Sequence, residues 1–322
     1  LGYGEFAKVG TTAAPFLKIG VGARAMGMGE TFVAVANDAS TLYWNPAGMT
    51  NMQQISLTAS HSMWFADIYH DYMGLVIPKG NTYIGLSVVA LNMGDEEITT
   101  LDEPDGTGLY YDVSNVAIGL SYARRLTEQF STGITAKYIS ENMHNETAQA
   151  IAFDIGTYLR TNYHGMVIGM SVSNLGSKMQ LDGRDLISIV DTDPNTDANT
   201  ETDASLKTES YPLPLIFRVG VALDVVGGYD PFITSDRNRI TLAVDGNHPN
   251  DNTEKLNLGM EYAYEEMLFF RTGYKINYDI EKWTVGGGLK FNLGRKIMKV
   301  DYAMVDYSDL GMVSRFSLEL NF

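Results

Sequence analysis

The sequence predicts an all-β protein: a fourteen-stranded antiparallel transmembrane β-barrel with an N-terminal plug segment that contains short helices. Three observations predict this fold. Long runs of alternating apolar and polar residues follow residue 53, tyrosine and tryptophan recur near the ends of these runs, and the segment before them is rich in glycine and does not alternate. No apolar run approaches the roughly 18 residues of a membrane helix, so helical spans are excluded.

The alternation is clearest in the final segment of the chain. Its even positions include Phe316, Leu318 and Leu320, whereas its odd positions include Arg315 and Glu319. In a strand these two sets point to opposite faces. The alternating runs are about 10–13 residues long, compared with about 5–6 for a typical globular strand and about 9–11 for a tilted strand that crosses a bilayer. The pattern therefore favours a barrel with an apolar outer face and a polar lumen over the alternative, a large soluble all-β protein.

The alternating runs divide into an even number of strands, as in bacterial barrels. We predict strands over residues 53–64, 69–78, 81–93, 112–125, 129–141, 148–161, 164–175, 212–225, 238–247, 255–265, 267–278, 281–292, 295–307 and 311–322. Short connections alternate with others that include the long segments 94–111 and 176–211, which predicts periplasmic turns at one end and surface loops at the other. The segment 226–237 is long for a periplasmic turn and is a candidate for a short helix.

Aromatic residues near the strand ends predict a girdle at the membrane interfaces. The candidates are Trp64, Tyr69, Tyr72, Tyr110, Tyr111, Tyr278, Trp283 and Tyr307. Charged residues on the polar face of the last three strands predict an interior network that holds the plug. These residues are Lys290, Lys299, Asp301, Arg315 and Glu319.

The chain has a formal net charge of −16, which argues against nucleic acid as a partner. Most of this charge lies in residues 94–112 and 176–210, which we interpret as long solvated loops. The acidic side chains of these loops are candidate residues of a protein-docking surface. The candidates are Asp95, Glu96, Glu97, Asp191, Asp193, Asp197 and Asp203.

One part of the second loop places oxygen ligands on alternate residues, as calcium-binding loops do. Its weak candidate ligands are Asp191, Asp193, Asn195 and Asp197. However, Thr196 stands where an EF-hand loop needs glycine, and Thr202 stands where it needs a bidentate glutamate. A repelling, unordered loop is therefore the favoured interpretation, with no cofactor and with calcium as the alternative.

Catalysis is not expected from this sequence. The chain contains no cysteine, which excludes disulfides, thiolate metal sites and cysteine nucleophiles. Its five histidines are dispersed and lack metal-ligand spacing. His61 and His70 could lie close together at the surface rim of the barrel, where a pair of histidines is more often solvated than catalytic. We predict a protein that is not an enzyme.

The first 52 residues are predicted to form a plug inside the barrel, and residues 53–322 are predicted to form the barrel itself. Fourteen strands enclose a lumen wider than the wall side chains can fill, and the glycines of the N-terminal segment suit close backbone packing. Asn37 or Asp38 is a candidate helix cap for residues 39–43, and Asn45-Pro46 is a candidate turn or helix start.

Three stretches of the N-terminal segment carry a family resemblance. They are Gly22-Ala23-Arg24-Ala25-Met26-Gly27-Met28-Gly29, Ala34-Val35-Ala36-Asn37-Asp38-Ala39-Ser40 and Tyr43-Trp44-Asn45-Pro46-Ala47-Gly48-Met49. Together they closely resemble the N-terminal signature of the PorV/PorQ family of outer-membrane proteins, which belongs to the wider FadL-like group of fourteen-stranded barrels. The Asn-Pro-Ala element is shared with FadL-like channels.

The resemblance implies kinship with the type IX secretion system, in which PorV-like barrels bind exported proteins through their C-terminal domains and associate with a larger translocon barrel. The expected partners are therefore outer-membrane lipids, secreted or surface-exposed proteins and that translocon barrel. The expected location is the bacterial outer membrane, after removal of an N-terminal signal peptide. The matching plug residues are expected to have structural or binding roles. They are Gly22, Arg24, Met26, Gly27, Gly29, Asp38, Trp44, Asn45, Pro46 and Gly48.

Two other functions stay open at this point. A FadL-like channel would pass hydrophobic small molecules such as fatty acids or hydrocarbons, and an unassigned structural barrel would do neither. A channel should contain an apolar passage that leads to an opening in the wall, whereas a docking barrel should have a closed lumen and loops that contact a partner.

Overall fold

The computed structural model describes residues 8–191 and 201–322. Within these residues, fourteen long strands form one antiparallel sheet. We number them β1 (Ser56–Met63), β2 (Tyr69–Lys79), β3 (Thr82–Asn92), β4 (Val113–Arg125), β5 (Phe130–Met143), β6 (Glu146–Arg160), β7 (Val167–Gly176), β8 (Ile216–Val226), β9 (Asn238–Pro249), β10 (Lys255–Tyr264), β11 (Leu268–Ile276), β12 (Trp283–Leu293), β13 (Lys296–Asp306) and β14 (Met312–Asn321).

The sheet closes into a barrel because its first and last strands pair. Ser60 on β1 lies opposite Tyr72 on β2 and opposite Ser317 on β14. Strands β6, β7 and β8 continue the ring on the other side. The predicted fourteen-stranded antiparallel barrel is confirmed, with strand bounds that differ from the predicted ones by a few residues.

The wall is irregular where β6 meets β7. The pairing shifts between Phe153 and Ile155, and Asn174 has a φ angle of 67°. The backbone N–H of Asn174 donates to Oδ1 of the buried Asp154 at 2.7 Å. Beyond this bulge, the two-residue strand Asp182–Gly183 pairs with the start of β6.

The two faces of the wall have opposite polarity, as the alternation predicts. On β14, Arg315, Ser317 and Glu319 point inward and are buried, whereas Phe316 points outward and is exposed. On β1, all four serine and threonine side chains are buried. An apolar outer face and a polar interior are the arrangement of a barrel in lipid.

The plug segment, residues 8–52, lies inside this wall. It contains a 3₁₀ turn (Pro15–Lys18), helix α1 (Ala23–Gly27), helix α2 (Thr41–Trp44) and a second 3₁₀ turn (Pro46–Asn51). Most of its side chains from Ala14 onward are buried. None of the helices in the described residues is long and apolar enough to cross a bilayer.

The barrel has a loop end and a turn end. At the turn end, β1 begins, β14 ends, and neighbouring strands are joined by short turns such as residues 80–81. The loop end carries the long segments 93–112 and 177–215. These contain the short strands Glu96–Glu97, Tyr110–Tyr111, Met179–Gln180, Ile187–Asp191, Glu201–Ser205 and Ser210–Tyr211 and the 3₁₀ turn Arg184–Leu186; another 3₁₀ turn, Ser308–Leu310, follows β13.

Two sequence predictions about local structure are wrong. Residues 227–237 form no helix, because Gly227 and Gly228 both have positive φ angles, and Ile233 instead bridges to Val226. The aromatic girdle does not include Tyr72 or Tyr307, which are buried inside the barrel. It does not include Trp64 or Tyr278 either, because both line the interior at one end of the barrel. Tyr72 points inward because it shares its face of β2 with Val76.

Candidate functional site

The plug segment and the wall are joined by a buried ion pair. Arg24, on helix α1, donates from Nε to Oε2 of Glu261 at 2.8 Å and from Nη2 to Oε1 at 2.9 Å. Glu261 lies on β10, and both residues are buried. Two parallel hydrogen bonds between a guanidinium and a carboxylate fix orientation as well as distance. Arg24 also donates to Asn37 and, at 3.4 Å, to Asp38 of the plug segment.

Glu261 is the centre of a larger network on the wall. Its carboxylate accepts hydrogen bonds from Arg239 at 2.9 Å and from Arg271 at 2.7 Å, and Arg271 donates to Asp301 at 2.6 Å. Pairing of this kind offsets the cost of burying charges. Burial alone would lower the pKa of the Arg24 guanidinium, but the charge and hydrogen bonds of Glu261 outweigh burial and raise it above its ordinary value. The guanidinium therefore stays charged.

Wall side chains also hold the backbone of the plug segment. Oδ2 of Asp245 accepts hydrogen bonds from the N–H groups of Phe32 and Val33, at 2.9 and 3.0 Å. The hydroxyl of Tyr72 donates to the carbonyl of Ala39 at 2.7 Å. These contacts lie on different strands, so the segment is held from several sides of the lumen.

Glycines let the two backbones approach each other. Gly29 has a φ angle of 66° and lies against Gly273 on β11, where an added β-carbon would stand 2.2 Å from the nitrogen of Gly29. Gly27 lies against Gly286 on β12 in the same manner. No other residue leaves room for this approach.

The second half of the plug segment is fixed by Asn45 and Trp44. The Asn45 amide donates to the carbonyls of Val33 and Thr157, at 2.9 and 3.0 Å, and its oxygen accepts from the N–H of Ala47 at 3.1 Å. It therefore caps the 3₁₀ turn that begins at Pro46. The Trp44 indole donates to the carbonyl of Val21 at 3.1 Å.

The structure thus brings the predicted plug residues into one packed unit in the lumen. Met26 is fully buried, Gly22 precedes α1 with a φ angle of 82°, and an added β-carbon on Gly48 would collide with Thr41 and Ala36. The Asp38 carboxylate accepts from the N–H and hydroxyl of Ser40 at 2.9 and 2.5 Å. Of the charges predicted to hold the plug, Arg315 donates to the carbonyl of Gly20.

The remaining predicted charges have other roles. Asp301 is linked to the plug segment through Arg271 and Glu261, the partner of Arg24. Lys299 pairs with Glu319 at 3.0 Å on the wall. Lys290 forms no ion pair with the described residues.

The candidate docking residues lie at the loop end, away from the plug network. Asp95, Glu96 and Glu97 are exposed, and Glu97 accepts from the N–H of Gly108 at 2.9 Å. Asp191 and Asp203 lie in paired strands rather than in an unordered loop. Asp193, Asn195 and Asp197 fall outside the described residues, and the calcium prediction therefore stays a prediction. The described residues contain no group of three or more acidic or histidine side chains that could hold a metal ion.

The loop end carries two β-ribbons that its acidic composition does not predict. The first ribbon pairs Glu96–Glu97 with Tyr110–Tyr111, and the second pairs Ile187–Asp191 with Glu201–Ser205. Large apolar side chains are exposed on or beside them, although an acidic loop needs none for solubility. These side chains are Leu101, Leu109, Ile187, Ile189, Val190 and Leu206.

A cavity of about 280 Å³ opens at the loop end, with the plug segment as its floor. Its lining includes Glu30 from the plug segment and Lys275 from β11, whose ammonium donates to Glu30 at 2.9 Å. Burial alone would raise the pKa of Glu30, but the charge and hydrogen bond of Lys275 hold it below its ordinary value. The turn end has a separate cavity of about 740 Å³ on the other side of the plug segment, lined by residues such as Asn51 and Arg125.

The two histidines considered from sequence do not form a site. His61 points out of the barrel and pairs with Asp71 at 2.7 Å, whereas His70 points inward and is buried. Strand alternation separates them, because His70 lies opposite Ser62 rather than His61.

Comparison with solved structures shows the same fold in bacterial channels. The chain is similar to the CymD monoaromatic hydrocarbon channel (TM-score 0.60, 15% identity, covering 94% of this chain and 98% of that one). It is also similar to the toluene transporter TodX of Pseudomonas putida (TM-score 0.57, 10% identity, covering 94% of this chain and 97% of that one). A third similar structure is a FadL homologue of Pseudomonas aeruginosa (TM-score 0.55, 12% identity, covering 94% of this chain and 98% of that one). A comparison with curated proteins finds no match.

The family model of the type IX secretion system protein PorV matches residues 4–193. This region contains the plug segment and the strands from β1 to β7. The match covers more than half of the sequence and agrees with the resemblance of the plug motifs and with the FadL-like fold. The chain therefore belongs to the PorV family of type IX secretion system proteins.

Proposed function

We propose that this barrel lies in the bacterial outer membrane, after removal of a signal peptide, and docks secreted or surface-exposed proteins at its loop end. In this role it associates with a larger translocon barrel of the type IX secretion system and performs no catalysis. The loop end faces the cell surface, because long loops outside and short turns in the periplasm are the usual asymmetry of such barrels.

The observation that carries this proposal is the surface of the two ribbons. Ile187 is 53% exposed, Ile189 is 68% exposed, and the acidic Asp191 and Asp203 lie on the same ribbon. Exposed apolar side chains rimmed by charge are typical of a surface that binds another protein. Membership of the PorV family supports the same role.

The fixed plug segment supports docking at the surface over passage through the lumen. The Arg24–Glu261 pair, the Asp245 contacts and the Gly29–Gly273 approach would all have to break before the segment could leave. A docking barrel needs no such opening, and the plug segment then acts as an internal support that holds the wall in shape.

Affinity purification from the native bacterium tests the docking role. The double variant Ile187→Ser/Ile189→Ser removes the two most exposed apolar side chains of the second ribbon and is expected to lower the yield of co-purified exported proteins severalfold. The matched control, Leu126→Ser/Phe232→Ser, removes two exposed apolar side chains from the turn end and should leave the yield unchanged. Equal yields from both variants would contradict docking at the ribbon.

A second candidate function is passage of hydrophobic small molecules. Two proteins of similar structure are named as a monoaromatic hydrocarbon channel and a toluene transporter. The bulge between β6 and β7 favours it, because a bulge disrupts the hydrogen-bond ladder of the wall locally, and a channel needs an opening in the wall. Mass spectrometry of the purified barrel separates the two functions. Bound hydrocarbon or fatty acid would favour passage, and co-purified exported proteins would favour docking.

A further inference from the structure

The loop-end cavity carries a charge opposite to that of the whole chain. Five cationic and three acidic side chains line it, which leaves a surplus of two positive charges in a protein of net charge −16. The three carboxylates are all engaged. Asp251 pairs with Lys18 at 2.6 Å, and Glu30 and Glu281 both pair with Lys275.

The other three cations form no ion pair with the described residues. Arg218, on β8, is 4% exposed; it donates to the hydroxyl of Ser173 at 3.0 Å and lies over the rings of Tyr43 and Trp44. Lys255, at the start of β10, lies 4.2 Å from the centre of the Tyr278 ring.

Arg315 is the most deeply buried of the three, with 1% exposure. Its Nη1 donates to the carbonyl of Gly20, but its Nε and Nη2 have no hydrogen-bond partner among the described residues. The ring of Trp64, at the rim of the cavity, lies 5.2 Å from the guanidinium. Buried N–H groups without an acceptor are costly, so the cavity lacks hydrogen-bond acceptors for this guanidinium.

We propose that this cavity binds the carboxylate of an anionic ligand. The planar fork of Arg218 matches a carboxylate, Lys255 and Arg315 add positive charge on either side, and the rings of Trp64, Tyr278 and Tyr307 hold the apolar body attached to it. Such a group occurs both on a small organic acid and at the C-terminus of a polypeptide. This cavity lies inside the barrel, apart from the two ribbons of the docking surface.

Titration calorimetry of the barrel in nanodiscs tests the site with four probes: hexanoate, an N-acetylated apolar hexapeptide with a free C-terminus, the same peptide as its C-terminal amide, and inorganic phosphate. At least one of the two carboxylates is expected to bind, at least about tenfold more tightly than the amide or phosphate. Binding of hexanoate alone identifies a small acid, and binding of the peptide acid alone identifies a polypeptide terminus.

Two variants locate the binding. Arg218→Gln and Lys255→Gln should each weaken it, Arg218→Gln by at least about tenfold. The control Arg160→Gln removes an arginine that lies over Tyr229 at the turn end and should have no effect. Heat-modifiability on a gel shows whether each variant is still a folded barrel. The proposal is overturned if neither carboxylate binds, if phosphate or the amide binds equally well, or if folded Arg218→Gln binds as the parent does.

Discussion

Gly27 of the plug segment and Gly286 of β12 pack backbone against backbone, so that a β-carbon added to either would lie 3.1 Å from the Cα of the other. The same kind of contact joins Gly29 to Gly273. The plug segment is therefore fitted to the backbone of the wall as well as to its side chains, and small changes at these glycines should have measurable effects.

The substitution Gly273→Ala is expected to destabilise the barrel by about 1–3 kcal/mol, the usual range for overpacking. The new methyl group would stand 2.2 Å from the nitrogen of Gly29, so the plug segment would have to move. Thermal unfolding in detergent measures the change. In the control Gly246→Ala, the added methyl group points out of the barrel, and its nearest neighbour is the carbonyl oxygen of Val219 at 3.9 Å. This substitution should change stability little. Equal effects of the two substitutions would contradict close packing at Gly273.

Removal of the charge of Glu261 should lower the free energy of unfolding more than removal of an exposed carboxylate does. Glu261→Gln leaves the buried Arg24 and Arg271 and the half-buried Arg239 without their shared carboxylate, and breaking a buried pair costs about 3–5 kcal/mol. Urea unfolding followed by tryptophan fluorescence measures this loss. Glu265→Gln, in an exposed pair with Arg237, is the control and should cost less than about 1 kcal/mol. A loss below this limit for Glu261→Gln would contradict a supporting role of the network.

The pair between Glu30 and Lys275 predicts a pH dependence. Because the pKa of Glu30 in the folded state lies below its ordinary value of 4.5, the pair stabilises the barrel fully above about pH 4.5. This stabilisation is lost as the pH falls from there through the lower folded-state value. The stability difference between the parent and Glu30→Gln should therefore be present at pH 7 and shrink in acid.

The same experiment on Glu103→Gln, an exposed loop residue, provides the comparison. That substitution should change stability little at either pH. If the Glu30→Gln difference were constant from pH 7 into acid, the ion pair would not be its source.

The absence of cysteine from the sequence allows a direct test of orientation. In whole cells, a membrane-impermeant maleimide is expected to label Leu109→Cys at the loop end but not Leu126→Cys at the turn end, although both positions are exposed. Thr11→Cys should also be labelled, because this exposed part of the plug segment lies at the loop end. Labelling of Leu126→Cys alone would reverse the proposed orientation.

Strand positions and faces could be predicted from sequence because alternation is a local property. The inward direction of Tyr72 was available from the same signal, since it shares its parity with His70 and Val76. Position near a strand end places Tyr72 in the girdle, but the direction of its side chain is set by parity.

The contacts of the plug segment could not be predicted in the same way. Arg24 and Glu261 are 237 residues apart, and the sequence around either residue does not indicate that the other is its partner. The grouping of the cavity cations is equally hard to predict from sequence. Arg218, Lys255 and Arg315 lie on three strands that come together only when the barrel closes. The ribbons could not be predicted from composition, because the few apolar side chains of these segments lie among many acidic ones.

The path of the plug segment constrains the order in which the molecule assembles. Lys18 contacts Asp251 at the loop end, yet the chain enters β1 at the opposite end, with a tightly filled interior between them. A stretch packed this closely could not be threaded through a finished cylinder. Strands β1 and β14 must therefore pair late in biogenesis, around an amino-terminal region that is already in place.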